Sequence, residues 1–385
     1  MDCQKNYNGL EEAMELLSEK GFDGMGSAIQ ILFNHAMRIE RERHLNAQPY
    51  ERSETRQGYA NGYKPKTVNT RVGCLDLNVP QVRNGDFYPS CLEKGIRSER
   101  ALRVSLAEMY VQGVSTRKVT AIIEEMCGFE ITSSQVSRAA AELDTEFEIW
   151  RNRPLGRYLY VFFDARYESV RQGGCVVDCA VLVAIGVTQD YRREVLGVSV
   201  ALSEAEAHWR EFFKSLQVRG LHGTELIISD DHAGMKAARK AIFPGIPWQR
   251  CQFHLQQNAQ SYIPKKDMKK KVALSIRSIF NAPDKEEAER LLRKTMCVYE
   301  KEAPLLCAWM EKNLPEGFTV FSFPQIHWKR LRTSNLCERL NKEIKRRTRV
   351  ATLFPNEASC LRLVTAIAME TSQEWITGKA YLSKE

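Results

Sequence analysis

Between Tyr158 and Asp230 the chain restricts its own fold more than anywhere else. Tyr158 to Phe163 is an apolar, β-rich run that ends at Asp164, and Val176 to Val187 and Glu194 to Val200 read as two further strands. Turn residues separate them at Gly173-Gly174 and Gln189-Asp190. Apolar Trp209, Phe212, Phe213 and Leu216 then recur at helical spacing, and Glu225 to Ile228 returns to a short buried-type strand that ends at Ser229-Asp230. Three strands in a meander, followed by helix, strand and helix, predict a mixed α/β sheet.

The flanks follow other periods. Residues 8–47 carry Ala28, Ile31, Leu32, His35 and Ile39 at helical spacing, with Arg38, Arg41 and Arg43 expected on the solvated side. Residues 48–66 have loop chemistry, and the alternation of Val72, Leu75, Leu77 and Val79 around Gly73 predicts a hairpin over 67–82. Three short helices are expected at 101–112, 116–126 and 134–143, with Ser115 and Thr132 or Ser133 as caps. That pattern suits a helix-turn-helix presenting Ser134, Gln135, Ser137 and Arg138 outward, and equally a plain three-helix bundle. Residues 264–322 are Lys-rich and helical, and further helices are expected at 335–347 and after Pro355. The domains read as 1–97, 98–150, 151–262, 263–325 and 326–385.

A net charge of +8 leans towards a polyanionic partner. The charge is concentrated: Ile326 to Val350 holds nine Lys or Arg against two Glu. Neither a secretory leader nor an apolar membrane span is seen, so a cytoplasmic, nucleoid-associated protein is expected. The eleven cysteines form no CxxC pair and are expected to be reduced and mostly buried.

Asp164 and Asp230 end β-rich runs, and Glu338 lies in a basic helical segment with Asn341, Lys342 and Lys345 on nearly the same face. Taken singly, each acid is equally a turn, cap or surface ion-pair residue. Taken together, three converging carboxylates need divalent cations to neutralise them. Mg²⁺ suits this because it takes oxygen ligands and bridges phosphates, and Mn²⁺ is the expected substitute.

The wording around these residues is more specific. The stretch from Glu40-Arg-Glu-Arg-His-Leu to Pro49-Tyr-Glu-Arg, then Asn61-Gly-Tyr-Lys and Val72-Gly-Cys-Leu-Asp-Leu-Asn-Val-Pro80, resembles the N-terminal region of the Mutator-type transposases of bacterial insertion sequences. So do Ser203-Glu204 with Trp209 and Phe212, Arg219-Gly220-Leu221, Ile228-Ser-Asp-Asp-His-Ala-Gly234, Gln249-Arg-Cys-Gln-Phe-His254 and Leu331-Arg-Thr-Ser-Asn-Leu-Cys-Glu-Arg-Leu-Asn341, in order from about residue 35 to residue 365.

This resemblance implies a ribonuclease-H-like core interrupted by a helical insertion and preceded by a mostly helical DNA-binding region. The family's DD(E) acids map onto Asp164, Asp230 and Glu338, with Asp231 and Glu343 as the nearest rivals. Two Mg²⁺ ions are implied, shared by Asp164 and completed by Asp230 and Glu338. So is cleavage and strand transfer of double-stranded DNA, with terminal inverted repeats and target DNA as partners and a homodimer or larger synaptic complex. Arg339, Lys342, Lys345, Arg346, Arg347 and Arg349 are expected on backbone phosphate. Gln135 and Arg138 are expected on the repeats. Cys251 and His254 match a Cys-x-x-His signature. A tetrahedral zinc site needs two more ligands with suitable spacing, so a structural or DNA-proximal role is expected. His232 is open to a phosphate contact or a helix cap, and Asn335 and Asn341 to DNA or to orienting Glu338. The rival readings are a catalytically silent DNA-binding regulator and another two-metal nuclease.

Overall fold

The computed structural model describes residues 9–83, 86–351 and 353–383. It divides into two compact units, Met1–Leu143 and Asp144–Glu385.

In the first unit, helices α1 (Gly9–Lys20) and α2 (Met25–Leu45) lead into an antiparallel hairpin, β1 (Tyr59–Thr70) and β2 (Gly73–Arg83). The turn at Gly73 has φ +116, open to glycine and strained for other residues. Leu75, Leu77 and Val79 alternate into a core with Met37 of α2. Gln30 and Asn34, one turn apart, accept hydrogen bonds from the Asp76 and Asn78 amides at 3.0 and 2.8 Å, which covers the free edge of β2. Two expectations change. Strand β1 begins at Tyr59, inside the segment read as loop. Arg41 is buried, stacks 4.8 Å from the Tyr63 ring and donates to the Gly62 carbonyl.

Helices α3 (Arg100–Val111), α4 (Thr116–Cys127) and α5 (Ser133–Ala141) pack Leu102, Leu106, Val119, Ile123 and Val136 together. Ser115 and Thr132 cap α4 and α5. The unit closes at Leu143, earlier than the boundary read at 150. Helix α6 (Asp144–Arg151) packs in the second unit, where Asp144 accepts two hydrogen bonds from Arg362.

The second unit is built on a mixed five-stranded sheet. In chain order its strands are β3 (Tyr158–Gln172), β4 (Cys175–Thr188), β5 (Arg193–Ala201), β6 (Leu226–Ser229) and β7 (Trp248–Arg250), arranged β5-β4-β3-β6-β7. The first three run antiparallel, while β6 and β7 lie parallel to β3. Helices α7 (Glu206–Val218) and α8 (Ala233–Ile242) follow β5 and β6, and α9 (Gln252–Ala259) follows β7. Then come α10 (Met268–Phe280), α11 (Lys285–Tyr299), α12 (Pro304–Asn313), α13 (Gln325–Leu331), α14 (Asn335–Ala351) and α15 (Glu357–Thr377).

Alternation along β3 divides the core. Tyr160 and Phe162 pack with Leu336, Leu340 and Ile344 of α14 and Leu363 and Ile367 of α15. Val161 and Phe163 pack on the other face with Trp209 and Phe213 of α7 and Met235 of α8. Burying each such side chain contributes roughly 1.5–3 kcal/mol. Helices α10 to α12 close a separate core that also takes Leu255 and Ala259 of α9, so this helical region begins before residue 263.

Among the described residues no helix is long and apolar enough to cross a membrane. The described cysteines are free; Cys127, Cys179, Cys251, Cys337 and Cys360 are buried, but Cys74, Cys91, Cys175 and Cys297 are exposed, so burial is less general than expected.

Candidate active site

Strand register brings the two aspartates together. Strands β3 and β6 are parallel, and their last paired residues are Phe162 and Ile228. Asp164 and Asp230 each lie two positions further on. Side-chain direction alternates with period two along β3, so Asp164 shares with Phe162 the face covered by α14 and α15, and Asp230, one residue past the end of β6, acts on it from the neighbouring strand end. Asp164 does not end its strand, as its apolar run suggested. Strand β3 continues to Gln172 against β4, and only the pairing with β6 stops there.

Asp164 is 8% exposed. Its Oδ1 accepts from the Ala165 amide at 3.0 Å, and its Oδ2 accepts from Asn341 Nδ2 at 2.9 Å. Burial first, and then the neighbouring charge of Asp230, push its carboxyl up to about 7; Glu338 adds to the rise, while the Ala165 amide and His254 oppose it. Asp230 and Glu338 thus both act on the Asp164 carboxyl.

Glu338 is carried by α14, whose apolar stripe Leu336, Cys337, Leu340 and Ile344 is buried against the sheet. A polar ladder beside that stripe holds α14 to β3. Asn341 donates to Asp164, and its carbonyl accepts from Arg166 Nη1 at 2.8 Å. Arg166 pairs with Glu168 at 2.7 Å, and Glu168 accepts from Thr348 at 3.2 Å. Asp164, Arg166 and Glu168 are alternate residues of one strand face. Two oxygens here lack any partner: Glu338 Oε1 and Asn341 Oδ1 are both buried without a hydrogen bond.

Among the described residues no three His, Cys, Asp or Glu side chains are gathered closely enough to hold an ion together. The donor set nevertheless fits a hard cation bound through few protein ligands. It offers oxygen donors only, with a buried carboxylate oxygen left bare and neighbouring carboxylates that raise the proton affinity of Asp164.

The structure separates Asp230 from Asp231. Asp231 pairs with Lys236 at 2.7 Å and with buried Arg250 at 2.8 Å, and both cations also reach Glu316. Asp231 is therefore neutralised within a network that joins the strand ends to the helical region. Asp230 instead acts on Asp164, Glu204 and His254. Glu343, the rival of Glu338, pairs with Arg346 at 3.1 Å.

Gly234 explains the small residue that follows this acid pair. A Cβ there would lie 2.3 Å from the Glu204 carbonyl oxygen, so only glycine lets α8 start so close to that backbone. His232 occupies the N-cap position of α8 without a side-chain cap bond, and its Nδ1 lies 3.5 Å from Glu204 Oε2. Glu204 is a further acid of this neighbourhood that its spacing did not single out. Burial first, and then Asp230, raise its carboxyl against the opposing His232.

Cys251 and His254 belong to the start of α9, and His254 feels the charges of Asp230 and Asp164. Cys251 is fully buried, and its Sγ accepts from the Ser334 amide at 3.4 Å. The Gln252 amide donates to the Arg332 carbonyl at 2.9 Å. The motif therefore fastens the start of α9 to the segment that launches α14. Burial raises the Cys251 thiol, but His254 and Ser334 outweigh it and bring it down. The approach of Cys251 is the main cause that pushes His254 up to about 9; burial opposes it, and Cys251, Asp230 and Asp164 add their charge. Nδ1 of His254 is buried without a hydrogen-bond partner.

Of the predicted phosphate contacts, Arg339, Lys342, Lys345, Arg346 and Arg349 are exposed on α14, as is Asn335. Arg347 is a correction: it is 6% exposed and pairs with Glu370 of α15 at 2.6 Å, because its position falls on the inward face. In the first unit Arg138 is exposed. Gln135 is half-buried, and its Oε1 accepts from the Thr132 amide at 2.7 Å in a reciprocal capping box. Its carbonyl is thus engaged in holding the helix start rather than presented outward.

The family model described as "Transposase, Mutator family" matches residues 4–378. The chain is 57% identical over 385 residues to the transposase for insertion sequence element IS406 of Burkholderia multivorans, covering 100% of this chain and 99% of that protein. It is 41% identical to the transposase for ISRM5 of Rhizobium meliloti, over 94% of this chain and 91% of that one. It is 38% identical to the transposase for IS256 in transposon Tn4001 of Staphylococcus aureus, over 90% and 89%. With the family model spanning nearly its whole length, this chain belongs to the Mutator family of transposases.

Proposed function

We propose that this transposase is a DD(E) enzyme with a ribonuclease-H-like core, which cleaves DNA at the terminal inverted repeats of an insertion sequence and transfers the freed strand to target DNA. The observation that carries the reading is the parallel register of β3 and β6, which ends two positions before Asp164 and Asp230, with α14 tethered to Asp164 through Asn341. Asp164, Asp230 and Glu338 would hold the Mg²⁺ ions. Such ions, when bound, activate an attacking oxygen and stabilise a departing one.

The chain's own residues do the rest. Asn341 holds one oxygen of Asp164, so that carboxylate is oriented before substrate arrives. The buried stripe of α14 and the ladder on β3 fix the height of Glu338 along the strand. Arg339, Lys342, Lys345, Arg346 and Arg349 line the exposed side of the same helix, where they neutralise backbone phosphate. Synapsis of two element ends calls for at least a dimer. Arg138, exposed on α5, is the residue of the three-helix bundle best suited to touching the repeats.

Asp164→Ala, Asp230→Ala and Glu338→Ala are each expected to keep end binding and lose cleavage by on the order of a thousandfold, equivalent to about 4 kcal/mol of transition-state stabilisation. Gel shift and cleavage measured on the same duplex test this. Full activity of Asp230→Ala beside an inactive Asp231→Ala would overturn the assignment.

A further inference from the structure

Outside the acid cluster and α14, one surface holds a charge arrangement that its own helix disfavours. Lys265, Lys266, Lys269, Lys270 and Lys271 are all exposed around the start of α10. The N-terminal end of a helix carries partial positive charge, so cations in the first turn oppose the dipole. Helix α10 has no acidic residue in its first turn, and Asp267 at its N-cap makes no side-chain cap bond. Its neighbour α11 follows the ordinary rule, with Glu286 and Glu287 in the first turn and Asp284 accepting from the Glu287 amide at 2.8 Å. On α11 Lys285 and Arg290 pair with Glu289 and Glu287, whereas among the described residues the five lysines before and on the first turn of α10 make no salt bridge.

We propose that this lysine cluster is a second docking surface for the phosphate backbone of duplex DNA, separate from α14. A polyanion would neutralise both the lysines and the helix end, so the unfavourable arrangement in the free protein becomes favourable in the complex. The location fits. His254, which feels the charges of Asp230 and Asp164, is joined to Lys265 by the rest of α9 and the short turn Gln260–Tyr262. That path spans at most about 30 Å, less than one turn of duplex at about 34 Å. A duplex whose reacting phosphate lies at the acids can therefore meet the lysines within one helical turn. The surface deepens the DNA-cleaving reading and rests on it.

The test compares two charge-matched variants of the full-length protein. One replaces Lys265, Lys266, Lys269, Lys270 and Lys271 with Ala; the other replaces Lys285, Arg290, Arg293, Lys294 and Lys301. Binding to a random-sequence duplex is followed against salt. The α10 variant is expected to bind at least about tenfold more weakly, with a log–log slope smaller by about 3–4 units, while the control changes by less than about 1. Equal losses in both would reduce the effect to net charge and overturn the proposal, as would an unchanged α10 slope. Lys270→Glu separates docking from a structural role: its melting temperature should rise by about a degree while DNA binding weakens. A fall in melting temperature would mean that the lysines hold the fold. Cleavage by Asp164→Ala, read in parallel, reports separately on the acid cluster.

Discussion

The sheet end that carries the acids and the three-helix bundle of α3 to α5 treat their polar side chains in opposite ways. In the bundle, polar groups close local structure: Ser115 and Thr132 cap helices, Gln135 completes a capping box and Arg138 leans on the Ser134 carbonyl at 3.4 Å. At the sheet end, Glu338 Oε1, Asn341 Oδ1 and His254 Nδ1 are buried without partners, and like charges are held side by side. An unsatisfied buried polar group costs about 1–3 kcal/mol. Local folding needs explain the first arrangement and not the second. Between these two regions, it is unspent hydrogen-bonding capacity that sets the sheet end apart.

The sharpest way to break this contrast is at Asn341. If its bond to Asp164 orients the carboxylate, Asn341→Ala should lower the cleavage rate by roughly 10–100-fold with DNA affinity almost unchanged. An unchanged rate would make the ladder mere packing.

The like-charge cost gives a second prediction, with a defined sign. The Asp164 carboxyl is raised from 3.8 to about 7, so the folded chain prefers its protonated form. Stability linked to this group is complete below about pH 4 and is lost as pH rises through about 7. Asp230→Asn removes one cause of the rise. Without divalent ions, this variant should be more stable than the unaltered protein by roughly 1 kcal/mol at pH 8 and equal to it near pH 4. Parallel melting curves across that range would show that the two aspartates do not share a field.

The smallest effect belongs to the bundle. Gln135→Ala should cost about 0.5–1 kcal/mol of stability and leave discrimination between repeat and random DNA intact. Loss of discrimination at full stability would return Gln135 to the recognition surface.

Much of this fold was legible in the chain, because the meander, the hairpin and the three short helices each declare themselves through local periodicity. What escaped was long-range or locally silent. Strand β3 runs on through Arg166, Glu168 and Arg171, whose charges disguise a strand that β4 and α14 hold from either side. Strand β7 spans only Trp248–Arg250, too short for any period to show. The neutralisation of Asp231 depends on Arg250, which Glu316 also holds, both remote in sequence. The burial of Arg347 depends on Glu370 of a different helix. Gln135 differs in kind. The Thr132-x-x-Gln135 spacing announces a capping box without any structure, and the recognition-helix reading passed over it.

The wide separation of Glu338 from the aspartates also has a consequence in time. Both aspartates leave the ribosome before the helical region, and Glu338 follows only after it. At about 5–20 residues per second, the interval between Asp230 and Glu338 lasts roughly 5–20 s. During that interval a nascent chain can pair β3 with β6, but it has no α14 to lay across them. The acid cluster is thus assembled last, and a chain interrupted within the helical region is born without it.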